Sequence, residues 1–393
     1  MRAFFLPISI SLMQFCILAV ATVAAGDVMA DDAGAVRLRD LGIAPGVLAP
    51  GPLNAITDVA GVRVGHRTLI EGESVRTGVT AILAHEGNVF VDKVPAAVHT
   101  GNGFGKAAGF EQVRELGNIE SPILLTNTLS VGTALAAGAR WVMTQPGNEQ
   151  VGSVNVVVGE TNDGYLNDIR GQHVSEQDVF AAIDAAKTGP VAEGNVGAGT
   201  GTRAFGFKGG IGTASRRLPE ALGGWTVGVL VQANFGGVLT IDGLKIGEAL
   251  EQHDFRDELG GAGARSDADP EDGSIMVVIA TDAPVGSRNL ERMARRAPLG
   301  LARTGGYMSN GSGDFVIAFS VADRIRYADS EPVRERARLA NEHTSALFLA
   351  VVEASEEAIY NALVAADSMT GVDGRALKAL PLGSLRELAA QRL

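Results

Sequence analysis

The sequence predicts an α+β fold in which helices cover the outer faces of stacked β-sheets. Strand-like runs follow one another along the chain, and helical patterns lie in pairs between them. A simple parallel α/β sheet would alternate one strand with one helix instead. The chain of 393 residues has no internal repeat and no linker-like stretch, and 46% of its residues are hydrophobic. We therefore expect one large domain with a sizeable core.

The predicted strands are short runs of apolar residues, many of them β-branched, as in strands buried on both faces. They span residues 62–64, 80–83, 97–99, 122–126, 153–158, 225–232, 275–280, 315–320 and, as a further candidate, 237–241.

Four helices are predicted from apolar periodicity, and they span residues 133–143, 175–187, 288–303 and 345–366. The second begins with a capping-box-like pattern at Ser175 and stops before Gly189 and Pro190. Pro298 should kink or break the third, because proline removes a helical hydrogen bond and clashes with the preceding turn. The fourth is apolar enough to be largely buried.

Residues 1–30 have the pattern of a secretory signal peptide, with Arg2 before an apolar stretch and small residues at its end. Cleavage is expected after Ala30, with Ala25 as the alternative. The prediction is export to a bacterial periplasm, without a membrane anchor. Removal of the signal takes away Cys16, the only cysteine, so the mature protein has no disulfide and no thiolate nucleophile.

Composition and motifs exclude several functions. The net charge is −12 and no long basic run occurs, so nucleic-acid binding has no electrostatic support. The six histidines are scattered without a His-Glu-x-x-His pattern, and no Gly-x-Ser-x-Gly elbow or phosphate loop is present. No motif indicates a metal or an organic cofactor.

The bond between Gly273 and Ser274 lies where a polar run, residues 253–272, meets the apolar strand 275–280. Cleavage there would give Ser274 both a hydroxyl nucleophile and a free α-amine. An α-amine has a pKa of about 7.7–8 and can act as the base for its own hydroxyl. The alternative is an ordinary turn, since Asp, Gly and Ser are common turn residues.

Three other segments contain residue types that such chemistry needs. Ser312 lies between two glycines and is followed by Asp314, which could orient it. Asn234 ends a predicted strand and could donate to a developing oxyanion. The loop 159–168 gathers Glu160 and Tyr165 with other polar residues. Each segment alone is equally compatible with a polar turn or a strand end.

Taken together, the motifs resemble a known family. They are ITDVAGVRVGH at 56–66, GNGFGK at 101–106, LTNT at 125–128, the loop 159–168, GFKGGIGTAS at 206–215 and the segment 273–284. The chain resembles the β-peptidyl aminopeptidases and L-aminopeptidase/D-amidase/esterases over essentially all of its mature length. This resemblance implies a four-layer αββα sandwich, like that of N-terminal-nucleophile hydrolases but connected differently.

The resemblance also implies roles for residues. Self-cleavage would yield an α chain, 31–273, and a β chain, 274–393, with Ser274 as nucleophile. Asn234 would form the oxyanion hole with help from Tyr165. Ser312 corresponds to the serine that touches the nucleophile. Asp314 corresponds to the carboxylate partner of that serine, which is Glu in some relatives. The last role falls to Glu160, which would bind the free ammonium group of the substrate.

The function implied is a serine aminopeptidase that acts on peptides or amides with a free N-terminal amine. β-Amino acid peptides and amides are the preferred substrates in this prediction, and no metal or cofactor is needed. D-alanyl amides, esters or ordinary L-peptides are alternative substrates. Two alternatives are less favoured. One is an acyltransferase of the ornithine acetyltransferase kind, which would have threonine instead of Ser274 as its new N-terminal residue. The other is a non-catalytic periplasmic binding protein. The resemblance further implies tetramers of αβ pairs.

Overall fold

The computed structural model describes residue 1 and residues 35–260, 272–327 and 331–390. Residues 35–393 form one compact unit. Apart from Met1, the predicted signal peptide lies outside the described residues, and so does the segment 261–271 before the predicted cleavage point.

The strands and helices are numbered here in chain order. The strands are β1 (Arg63–Glu71), β2 (Val75–Leu83), β3 (Asp92–Gly103), β4 (Asn118–Ile119), β5 (Ile123–Asn127), β6 (Val157–Thr161), β7 (Arg203–Ala204), β8 (Phe207–Lys208), β9 (Gly210–Arg217), β10 (Thr226–Asn234), β11 (Asp272–Thr281), β12 (Gly311–Ser320), β13 (Ile325–Arg326), β14 (Met369–Thr370) and β15 (Ala376–Leu377). The α-helices are α1 (Phe110–Leu116), α2 (Val131–Met143), α3 (Glu176–Asp184), α4 (Ile246–Ala249), α5 (Ser287–Ala294), α6 (Ala297–Arg303), α7 (Ser345–Val364) and α8 (Leu382–Ala390).

Two mixed sheets form the centre of the fold. The smaller has the order β1-β2-β5-β6, and the larger has the order β13-β3-β12-β11-β10-β9, with β4 paired to β3. Most neighbours are antiparallel, but β5 pairs with β6 and β11 with β12 in parallel. The parallel pair β11–β12 puts the starts of both strands, Gly273 and Ser312, side by side.

Three hydrophobic cores separate four layers. The first joins α2 and α3 to the smaller sheet, the second lies between the sheets, and the third joins the larger sheet to α5, α6 and α7. The structure thus confirms the αββα sandwich. Along β11, Met276 and Val278 face the other sheet, whereas Val277 faces the helices. Because side chains alternate along a strand, Ser274 faces the space between the sheets.

Most predicted elements are confirmed, and the exceptions have physical reasons. The predicted strand 153–158 is shifted to β6, and 237–241 is not a strand. The predicted helix 288–303 is broken into α5 and α6, with Pro298 in the first turn of α6. Strand β9 was not predicted because glycines interrupt its apolar pattern. At Gly212 a Cβ would lie 2.0 Å from the Ala358 carbonyl oxygen of α7, so close packing requires glycine there.

Candidate active site

Ser274 lies opposite Asn234 in the antiparallel pair β10–β11 and is 4% exposed. The Asn234 side chain donates from Nδ2 to Ser274 Oγ over 3.2 Å. A second donor comes from the opposite sheet, where the backbone N–H of Asn162, just after β6, lies 3.3 Å from the same oxygen. The hydroxyl oxygen therefore accepts two hydrogen bonds, which leaves its own proton free to be given to a base.

The orientation of the Asn234 amide is fixed by the chain itself. The backbone N–H of Arg203 donates to Asn234 Oδ1 over 2.9 Å. Because an amide oxygen accepts and an amide nitrogen donates, this bond turns Nδ2 toward Ser274. The end of β10 and the β7–β8 hairpin together position the Asn234 N–H donor beside Ser274.

Strand β12 provides the second serine of the site. Ser312 pairs with Gly273 in the parallel register, and its hydroxyl donates to Asp314 Oδ1 over 2.7 Å. A Cβ at residue 273 would lie 3.1 Å from Ser312 Oγ, so a glycine before Ser274 gives this hydroxyl close access to the backbone.

Asp314 is buried, with 3% of the residue exposed, and only one of its two carboxylate oxygens has a hydrogen-bond partner. The other, Oδ2, has none. Burial raises the pKa of this carboxyl to about 6, and the hydrogen bond from Ser312 opposes the rise. A carboxyl with this pKa loses its proton in weakly acidic solution, well above the range of an ordinary aspartate.

Glu160, on β6, lies across the space between the sheets from β12. Its Oε1 accepts the backbone N–H of Lys106 over 2.9 Å. A Cβ at Gly105 would lie 2.8 Å from Glu160 Oε1 and 3.5 Å from the Cα of Gly313, the residue paired with Ser274. Burial raises the Glu160 pKa, and the Lys106 N–H opposes this. A ligand cation would therefore relieve a real desolvation cost.

Tyr165 is half-buried, and two guanidinium groups lie over its ring. The Arg203 and Arg375 groups are 5.1 and 5.7 Å from the ring centroid. Tyr165 is thus connected to Asn234 through Arg203, whose backbone N–H holds the Asn234 amide. These contacts place Tyr165 beside the segment that positions the amide.

The structure brings Gly273, Ser274, Asn234, Ser312 and Asp314 together at the starts of β11 and β12 and the end of β10. The donor from Asn162 was not predicted, because a backbone N–H carries no signal of residue type.

Within the described ranges, no cluster of three or more His, Cys, Asp or Glu side chains could hold a metal ion. Nor does any helix of that part of the chain have the length and apolarity needed to cross a membrane.

A buried serine with two N–H donors, set between the sheets of an αββα sandwich, defines a serine hydrolase of the N-terminal-nucleophile-like class. Comparison with known proteins gives the family. The sequence matches the profile of peptidase family S58 over residues 54–377. Beta-peptidyl aminopeptidase BapA of Sphingosinicella microcystinivorans is 43% identical over 367 residues, which cover 90% of this chain and 91% of that protein.

Two solved structures have the same architecture. A beta-aminopeptidase from a Burkholderia species superposes with a TM-score of 0.83 at 44% identity, covering 91% of this chain and 99% of that one. The L-aminopeptidase D-Ala-esterase/amidase of Ochrobactrum anthropi, described as a variant of the Ntn hydrolase fold, gives a TM-score of 0.82 at 39% identity, covering 91% and 98%. The chain belongs to peptidase family S58. The predicted serine aminopeptidase is thereby confirmed.

Proposed function

We propose that the enzyme first cleaves itself between Gly273 and Ser274. In the first step, Ser274 Oγ attacks the Gly273 carbonyl carbon, the C–N bond breaks, and the freed nitrogen takes the hydroxyl proton. The resulting ester is hydrolysed by water, which leaves a carboxylate on Gly273 and an α-amine on Ser274. The expected products are an α chain, 31–273, and a β chain, 274–393.

In the mature enzyme, the Ser274 α-amine accepts the hydroxyl proton while Oγ attacks the carbonyl carbon after the substrate's first residue. The observation that carries this proposal is the pair of N–H donors on Ser274 Oγ, from Asn234 at 3.2 Å and Asn162 at 3.3 Å. A donor this close to Oγ also lies near the carbonyl group that Oγ attacks, and the negative charge develops on the oxygen of that group. We assign the oxyanion role to Asn234, with Tyr165 assisting.

The proton given to the α-amine makes an ammonium group, which is stabilised through Ser312 and the carboxylate of Asp314 in this proposal. That ammonium then protonates the leaving amine, and the C–N bond of the substrate breaks. Water hydrolyses the acyl-enzyme with the amine again acting as base, and the N-terminal residue is released. No metal or organic cofactor enters either stage.

Restriction to N-terminal residues follows from Glu160 in this proposal. Its carboxylate would pair with the ammonium group of the substrate in a buried position. An internal peptide segment has no such charge and would leave the carboxylate unpaired, which costs several kcal/mol. The assignment is supported by the burial of Glu160 and by Gly105, which lies close both to the Glu160 carboxylate and to Gly313, the residue paired with Ser274.

We propose β-amino acid peptides and amides as the preferred substrates, because the relative with 43% identity over 90% of the chain is a β-peptidyl aminopeptidase. D-alanyl amides or esters are the second candidate, favoured by the likeness to the Ochrobactrum anthropi enzyme. We further propose export to the periplasm, which rests on the signal-like residues 1–30, and assembly of αβ pairs into tetramers, which rests on the family resemblance.

A substrate panel tests the proposed specificity. Purified protein is assayed with p-nitroanilides of β-alanine, β-homoleucine, D-alanine, L-alanine and N-acetyl-β-alanine, and kcat/KM is compared. We expect the highest value for a β-residue and no turnover of the acetylated compound, which lacks the ammonium group. A higher kcat/KM for D-alanine would favour the amidase, and turnover of the acetylated compound would remove the amine anchor.

A further inference from the structure

Gln232 is a buried amide that reaches from the larger sheet to the smaller one, close to the candidate active site. It lies on β10, two residues before Asn234, and it is fully buried. Its Nε2 donates to Thr161 Oγ1 over 2.8 Å and to the carbonyl oxygens of Thr126 and Ala198 over 3.1 and 2.9 Å. Since Thr126 lies on β5 and Thr161 on β6, one side chain of the larger sheet binds two strands of the smaller sheet.

The orientation of this amide is determined by its neighbours. Two of the three contacting atoms are carbonyl oxygens, which only accept hydrogen bonds, so the nitrogen of the Gln232 amide must face them. Among the described residues, Gln232 Oε1 has no hydrogen-bond partner. A buried amide with one unpaired atom adds little net stability. Its specific contribution is therefore to hold β6 at a fixed distance from β10 through Thr161.

Gln232 lies on the same face of the larger sheet as Ser274 and Asn234. Side chains alternate along a strand, so Gln232 and Asn234, two residues apart on β10, point to the same side. Gln232 is paired with Met276 on β11, and Met276 is two residues from Ser274. The amide therefore lies in the row of side chains next to the row that contains Ser274 and Asn234.

The facing part of the smaller sheet carries the backbone donor. Thr161 is the last residue of β6, and the next residue is Asn162, whose N–H lies 3.3 Å from Ser274 Oγ. The two sheets also meet closely at Gly159 of β6, where a Cβ would lie 2.2 Å from Cε of Met276. The position of the end of β6 relative to the larger sheet therefore determines where this N–H lies.

The two donors on Ser274 Oγ differ in how far they depend on contacts between the sheets. Asn234 and Ser274 lie on neighbouring strands of one sheet, and their backbone pairing fixes their separation. Asn162 follows a strand of the other sheet and reaches Ser274 across the space between the sheets. A bond between the sheets is therefore needed for the Asn162 donor more than for the Asn234 donor.

We propose that Gln232 is a positioning residue that holds, through Thr161, the N–H of Asn162 at hydrogen-bond distance from Ser274 Oγ. This inference rests on the proposed role of Ser274. Without the bond between Gln232 and Thr161, the end of β6 moves relative to β11 and the N–H loses its alignment. Misplacement of such a group by about 1 Å costs about 100-fold in rate. Self-cleavage and substrate turnover both use Ser274 Oγ, so both should slow.

Two substitutions of Thr161 separate the hydrogen bond from packing. Thr161→Ser keeps the hydroxyl acceptor and loses a methyl group, whereas Thr161→Val keeps the volume and loses the acceptor. The measurements are the rate of self-cleavage and kcat on a β-alanyl p-nitroanilide per mole of self-cleaved enzyme. Thr161→Val should lower both by about 10-fold, and Thr161→Ser should stay within about twofold of wild type. Unchanged rates in Thr161→Val, or an equal or greater loss in Thr161→Ser, would overturn the proposal.

Gln232→Met should have a larger effect, because methionine fills the side-chain volume but has no donor. It should slow both reactions by about 100-fold. Addition of Thr161→Val to this variant should slow them no further, since both changes break the same bond and their effects are not additive. Additive losses would show that the two residues act separately and would overturn the proposal.

Asn361→Leu is the matched control. Asn361 is a fully buried amide on α7 that donates to the carbonyl oxygen of Thr213 over 2.9 Å. Its replacement should lower the melting temperature and leave both rates unchanged. Losses in rate equal to those of Gln232→Met would make general destabilisation the cause and would overturn the proposal. A wild-type protein that neither cleaves itself nor turns over the substrate would instead contradict the proposed function.

Discussion

Two groups of buried carboxylates in this protein differ in how many hydrogen-bond donors surround them. On α7, Glu353 accepts from the backbone of Val47 and Leu48 and from Arg216, and each of its oxygens has a donor. The neighbouring Glu357 is bound by Arg39, Asn54 and Arg216. Near Ser274, by contrast, Asp314 Oδ2 has no hydrogen-bond partner, and neither has Oδ2 of Asp163, the residue that follows Asn162 in the loop after β6.

The pKa values follow this difference. Burial alone would raise the pKa of Glu357, but the hydrogen bond from Arg39 and the charge of Arg216 hold it below its ordinary value. At Asp314 burial prevails, and its pKa is about 6. Carboxylates with a full set of donors stabilise the fold, whereas those left incomplete can accept a proton or a ligand ammonium group.

The largest expected effect on stability comes from the carboxylates of α7, which have a full set of hydrogen-bond donors. Glu357→Gln removes the buried carboxylate that Arg39 and Arg216 share, and only Arg216 keeps a second carboxylate partner, Glu353. This loss should cost about 3–5 kcal/mol. Urea unfolding, followed in a Ser274→Ala background so that each chain stays intact, measures this loss. The kinetics of the folded Glu357→Gln enzyme should match wild type. A loss below about 1 kcal/mol would show that full coordination does not mark a stabilising carboxylate.

Glu160→Gln should have the next largest effect, and on activity alone. Loss of the buried anchor should lower kcat/KM for substrates with a free amine by about 100-fold, or about 2.7 kcal/mol. This lies within the range of about 2–5 kcal/mol typical of truncated buried charge pairs. Self-cleavage needs no free amine and should proceed at nearly the wild-type rate. Rates of both reactions are measured on one preparation. Equal loss of both would remove the anchor role.

Asp314→Asn should lower activity yet raise stability. A carboxyl whose pKa is raised from 3.8 to about 6 by folding adds stability below pH 4, and this contribution is lost as the pH rises through 6. At pH 8 the buried charge therefore costs about 1–3 kcal/mol, which asparagine avoids. Thermal melting at pH 4 and pH 8 measures this difference.

In the same account, wild-type turnover should fall as the pH drops through about 6, because Asp314 becomes protonated. A variant that melts at the wild-type temperature at pH 8 and retains full activity would place Asp314 among the ordinary buried side chains.

The sequence contained much of the fold and of the site. Continuous apolar runs marked β11 and β12, and motifs marked Ser274 and Asn234. Strand β9 was missed because its glycines and polar residues serve close packing against α7, which no local pattern reports. The Asn162 N–H was missed for a similar reason, since only the meeting of two sheets turns it into a donor.

The most direct test of the central claim is intact mass and N-terminal sequencing of the purified protein beside its Ser274→Ala variant. The account predicts two fragments in the wild type, of roughly 25 and 12 kDa when scaled from chain length. Ser274 should be the first residue of the smaller one, and the variant should stay uncut. A single uncut chain in both samples, together with aminopeptidase activity, would contradict a mechanism in which the α-amine of Ser274 is the base.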